Sequence, residues 1–140
     1  MLFRSPDRLI EILSTSDICA GPDPKNSFND HSTMIKLMEY MAMAKPIVSF
    51  DLTESIFSAE EAAVYIENND ELEFAKAIQT LMHDPDKRKE MGQFGYDRIH
   101  NELAWKYSAE KLLELYSSLF PTMSSTSKNV SIDQETARAT

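Results

Sequence analysis

A single cysteine in a chain of 140 residues rules out an internal disulfide, so no covalent staple supports the fold. Cys19 lies between Ile18 and Ala20, where a small buried apolar residue fits, and no basic residue sits beside it to lower its pKa. A structural thiol is expected. Long apolar runs are missing too: none approaches the roughly 18 residues that a membrane-spanning helix needs. The start, MLFRSPDRLI, meets a proline and an aspartate before any signal-peptide core. A cytoplasmic protein is therefore expected, with any membrane association peripheral and made through parts beyond this chain. Cations are scarce, 14 Lys and Arg against 23 Asp and Glu, and the formal charge of -9 disfavours nonspecific binding to nucleic acid or anionic lipid. An anionic ligand has to be met by local geometry. His31, His83 and His100 are far apart and share no metal-ligand spacing with the cysteine, so neither a metal nor another cofactor is expected.

What remains is an ordinary globular composition, 42% hydrophobic, in a length that suits one domain with a real core. PDRLIEILS, residues 6 to 14, reads as a helix. DICAG, residues 17 to 21, is a short apolar run closed by Gly21-Pro22 and reads as a buried strand. Residues 22 to 32 form a loop rich in Pro, Asn and Asp. Met34, Leu37, Met38 and Met41 fall on one helical face and predict a helix over 33 to 43. PIVSF (46 to 50) and AAVYI (62 to 66) read as strands, with TESIFSAEE between them ambiguous. From Asp70 the pattern is helical, with Pro85 suited to a first turn. The alternation predicts an α/β domain with a small parallel sheet of about three strands, flanked by helices and followed by C-terminal helices. It spans residues 1–120; residues 121–140 hold almost nothing to bury and are expected to be a disordered polar tail.

In an open parallel sheet, ligands bind beyond the carboxyl ends of the strands. The loop from Pro22 to Ser32 is such a place, and it delivers the chain to a helix N-terminus able to attract phosphate. Asn29, Asp30, Ser32 and Thr33 are also good helix caps, and on residue type alone capping is the simpler reading. Glu39, on the flank of the Met stripe, is either a solvated carboxylate or an acceptor for sugar hydroxyls. Spacing alone leaves both open.

The block STMIKLMEYMAMAKPIVSFD resembles the donor-binding segment of glycosyltransferase family 4. SDICAGPDP, NDELEFAKAIQTLMHDPDKRKEMGQFGYDRI and LAWKYSAEKLLELYSSL resemble the family's preceding strand and loop, its paired helices and its closing Trp-containing helix. The resemblance covers nearly all of residues 7 to 120. It implies a partial Rossmann-like C-terminal domain of a retaining, two-domain enzyme, truncated at its N-terminus, that binds a nucleotide-diphosphate sugar without a metal. The family signature is a glutamate, seven residues, and a second glutamate. Its second position matches Glu39, which by resemblance binds the ribose hydroxyls. The first falls on His31, with Asp30 one residue earlier. The glycines usual between the two are replaced by Ser32 and Met34, and Ala44 stands where a glycine usually follows the helix.

The resemblance implies a donor site built from Asp30, His31, Ser32, Thr33, Met34 and Glu39; it assigns no catalytic residue. Two functions follow. One is a fragment or subunit of a glycosyltransferase, inactive alone because the acceptor domain and the first strands are missing. The other is a noncatalytic nucleotide-sugar-binding or interaction module derived from that fold. Either way, residues 17 to 21 are expected at a sheet edge, completed by an upstream polypeptide or by self-association.

Overall fold

The run IVSF forms the middle strand of the sheet, and every one of its side chains is covered. In the computed structural model, which describes residues 5–120, the chain runs through helix α1 (Pro6–Ser14), strand β1 (Cys19–Gly21), helix α2 (Ile35–Ala42) and strand β2 (Ile47–Phe50). Helix α3 (Thr53–Ala59), strand β3 (Ala63–Ile66) and helices α4 (Glu71–His83), α5 (Pro85–Arg98) and α6 (Trp105–Leu119) follow. The three strands form one parallel sheet in the order β1-β2-β3, with Cys19 opposite Ile47 and Ile47 opposite Ala63. This is the expected α/β architecture, C-terminal helices included. Among the described residues β1 pairs on one side only, which makes it the expected edge strand.

A parallel strand covered on both faces loses the polar-apolar alternation, and β2 is buried throughout. Its side chains still divide by pleat. Ile47 joins Leu37, Met41, Ala59, Ala62 and Ala63 on one face; Val48 and Phe50 join Phe74, Leu81 and Met91 on the other. Phe50 and Phe74 meet with ring centroids 5.0 Å apart. Truncating a residue as enclosed as Leu37 or Met41 to alanine costs about 2–5 kcal/mol.

The boundaries differ from expectation in instructive ways. Pairing of β1 begins where Cys19 N–H donates to Pro46 O (2.9 Å), so Asp17 and Ile18 lead into the strand without joining it. Pro46 and Ala62 likewise stand just outside β2 and β3. TESIFSAEE becomes α3 and the start of a 3-10 turn, Glu60–Ala62. Its buried side chains are Ser55, Ser58 and Ala59, too small to leave an apolar stripe in the sequence. The helix is ended by Glu60 at φ 44 and by a cation from elsewhere in the chain. Buried Arg98 donates from Nε to Ser58 O and from Nη2 to Phe57 O, both at 3.0 Å, and pairs with Glu60 and Glu102. It thereby satisfies carbonyls that a helix C-terminus leaves without partners.

Helices α4 and α5 start as their sequences suggest. Asp70 accepts from Leu72 and Glu73 N–H (2.9 and 3.0 Å), and Asp84 accepts from Lys87 N–H (2.9 Å) ahead of Pro85. Helix α5 crosses the α2–β2 connection so closely that a Cβ on Gly92 would lie 2.2 Å from Ala44 O. Ala44, where the family usually has a glycine, is left-handed at φ 52, at a cost of about 1 kcal/mol.

The chain divides into two units, one through Leu103 and one from Ala104. In the second, Lys106 Nζ sits 4.7 Å from the centre of the Tyr107 ring, and Tyr116 stacks on Phe120. The expected polar tail lies outside the described residues. No helix among them is long and apolar enough to cross a membrane.

Candidate functional site

Three connections leave the carboxyl ends of the three parallel strands: residues 22–34 after β1, Asp51 and Leu52 after β2, and residues 67–70 after β3. The open end of a parallel sheet is where such folds bind ligands. All six residues expected in the donor site lie on the first connection or on α2, which follows it.

Helix α2 begins two residues beyond the expected Thr33. Its first residue is Ile35 and its N-cap is Met34, which has no side-chain oxygen to offer, so the first turn lacks a side-chain cap. The polar residues ahead of it do not cap it; each finds a partner elsewhere. Asp30 closes the 3-10 turn Asn29–His31 onto α3, accepting from Thr53 N–H at 2.8 Å and from Thr53 Oγ1 at 3.1 Å. Asp30 thus serves the N-terminus of α3, and the Thr53 amide bond is the main cause holding its carboxyl below the usual range. Thr33 Oγ1 donates to Glu54 Oε2 (3.2 Å), Ser32 Oγ to Phe28 O (2.7 Å), and Asn29 Nδ2 to Pro24 O (2.8 Å). Residue type marked these side chains as caps, while the helix that Asp30 caps stands 23 positions away.

The later start brings Glu39 closer to the helix terminus. It lies four residues beyond Ile35, about 6 Å along the axis, and helical side chains lean back toward the N-terminus. Glu39 is half-buried, and its carboxylate makes no hydrogen bond or ion pair with the described residues. Lys36, in the first turn where a cation opposes the helix dipole, is held by the Asp23 carboxylate. His31 is exposed, and Met34 is half-buried against the Leu37 and Met41 cluster. The site therefore offers an uncapped helix start and an unpaired carboxylate: an anion on the amides and hydroxyls on Glu39 suit it. Among the described residues no three His, Cys, Asp or Glu side chains gather to hold a metal. Cys19 is buried, and burial pushes its thiol pKa up.

Sequence reasoning missed the residues that tie the three connections together. Lys25 Nζ donates to both Asp51 O and Asp51 Oδ2 at 2.9 Å. The Lys25 backbone N–H donates to Asn69 Oδ1, and Asn69 Nδ2 donates back to Lys25 O at 3.2 Å. Asn68 and Asn69 are both left-handed, at φ 58 and 53, a conformation asparagine tolerates better than most residues. The Asn-Asn pair after a strand was the available signal; a partner 44 positions away was not.

The sequence profile of the family described as glycosyl transferase-like matches residues 3–114. Alpha-maltose-1-phosphate synthase of Mycolicibacterium smegmatis is 29% identical over 117 residues, covering 78% of this chain and 29% of that protein. D-inositol 3-phosphate glycosyltransferase of Corynebacterium diphtheriae is 27% identical over 116 residues, covering 81% of this chain and 26% of that protein. The chain thus spans less than a third of the length of these relatives. No solved structure matches it. With the profile spanning most of the chain, the protein belongs to the glycosyl transferase-like family.

Proposed function

We propose that this domain holds the nucleotide-diphosphate sugar of a retaining glycosyltransferase of the family 4 type, phosphates at the start of α2 and ribose toward Glu39. The observation that carries this reading is the state of Glu39. Glu39 is half-buried as a residue, yet its carboxylate has no partner among the described residues and keeps access to solvent, so it is free to accept from a ligand, and it sits about one helical turn from the uncapped amides. A ribose and its phosphate need a hydroxyl acceptor and an anion site at about that separation. Catalysis in such an enzyme rests on stabilising the departing diphosphate, and the start of α2 supplies amides for that purpose. Cations and acceptor contacts come from another polypeptide or from a further part of the protein, because the relatives are more than three times as long as the aligned region.

One observation favours a second reading, a module that binds nucleotide without transferring sugar. Asp30, the carboxylate nearest the first signature position, is committed to Thr53, and His31 occupies that position itself. Titration calorimetry with UDP, GDP and their sugars separates the two. Donor binding supports the transferase reading when the sugar adds affinity; affinity for the bare nucleotide alone supports the module. Glu39→Gln is expected to weaken nucleotide binding by about 1.5–3 kcal/mol, the loss of a charged hydrogen bond. Unchanged affinity would remove Glu39 from the site.

A further inference from the structure

We propose that Lys25 and Asn69 form a clasp that positions the donor site without touching the ligand; the inference rests on the nucleotide reading above. The connection from Pro22 to Met34 is longer than the usual 2 to 6 residues, and apart from one 3-10 turn it has no regular structure to hold it. Its far end is tied to α3 through Asp30 and Thr33. Its near end is tied to α2 by the Asp23–Lys36 pair and to the other two connections by Lys25, whose peptide N–H and C=O both pair with the single Asn69 amide while its ammonium is shared between two Asp51 oxygens. Strand β2 lies between β1 and β3, so a tie from the β1 connection to the β3 connection must pass over the carboxyl end of β2. The chain's own loop therefore fills that part of the crevice. A ligand is left the β1 side and the first turn of α2, the side on which Glu39 stands.

The test uses Lys25→Met, which removes the ammonium, and Asn69→Gly, which removes the amide and suits the left-handed backbone. Amide hydrogen exchange of residues 26–34 is measured in the full chain, together with affinity for UDP and GDP, at a temperature where melting curves show each variant folded. Exchange in 26–34 is expected to rise about tenfold in each variant, as local opening becomes easier. Affinity is expected to fall about fivefold through lost preorganisation. The double variant should lose less than the product of the two, because one device is being broken twice. Unchanged exchange in both variants would overturn the clasp. Faster exchange with unchanged affinity would overturn its positioning role. Glu39→Gln serves as the contrast, weakening binding with exchange in 26–34 unaltered. A wild-type chain that binds neither nucleotide defeats the nucleotide reading and the positioning role with it, while exchange still shows whether the clasp orders the loop.

Discussion

Gly92→Ala sets two effects of opposite sign against each other. Alanine at an interior helical position gains about 1 kcal/mol over glycine from helix propensity. In α5, however, the new Cβ would lie 2.2 Å from Ala44 O, whereas carbon–oxygen contacts sit at about 3.3 Å. The atom met is backbone, and Ala44 is already held left-handed between α2 and β2, so it has little room to retreat. Helix α5 must then lift by about 1 Å, loosening the contacts that Met91 makes with one core cluster and Phe94 with the other. Overpacking of this kind costs about 3 kcal/mol, and somewhat more against backbone, leaving a net loss of about 2–3 kcal/mol. For a unit of this size that is a fall of roughly 10–20 °C in melting temperature. Urea unfolding followed by far-ultraviolet circular dichroism measures it directly. A variant as stable as the wild type, or more stable by the helix-propensity gain, would refute the close approach of α5 to the α2–β2 connection.

Other outcomes follow from the same geometry. Ala44→Gly relieves the left-handed strain of about 1 kcal/mol, and after glycine's own entropic cost it should leave stability unchanged or raise it by up to about 0.5 kcal/mol, read from the same urea titration. Asp30 has a folded pKa held below its ordinary value of 3.8, so its contribution to stability is fully present above that value and is lost as pH falls through the depressed one. Asp30→Asn should therefore lower the urea midpoint at neutral pH, with the gap from wild type closing as pH drops well below 3.8. A gap that persists at about pH 2 would show that the Thr53 contact does not depend on charge.

Much of the fold was legible because local signals and packing agree. Pro85 and the aspartates at 70 and 84 mark helix starts within their own segments, and IVSF is apolar enough to announce a covered strand. The misreadings share a cause, since they involve side chains whose partners are distant in sequence. Asp30 looks like a cap for the helix that follows and serves α3 instead. Arg98 drew no reading from its own segment for the same reason, and it is buried against the carbonyl end of α3. Residues 53 to 61 were ambiguous because Ser55, Ser58 and Ala59 bury little apolar area. In the candidate site, Glu39 was legible by its place in a motif. Its lack of a partner, and the tie between Lys25 and Asn69, required the strands to be set side by side.

The most direct test of the account is a nitrogen–proton correlation spectrum of the full chain titrated with UDP and with GDP. Binding at the start of α2 predicts that one of them moves the amide signals of Asp23, Ile35, Lys36 and Glu39, while those of α4 stay in place. Signals that move only in α4 and α5, or that do not move with either nucleotide, would contradict it.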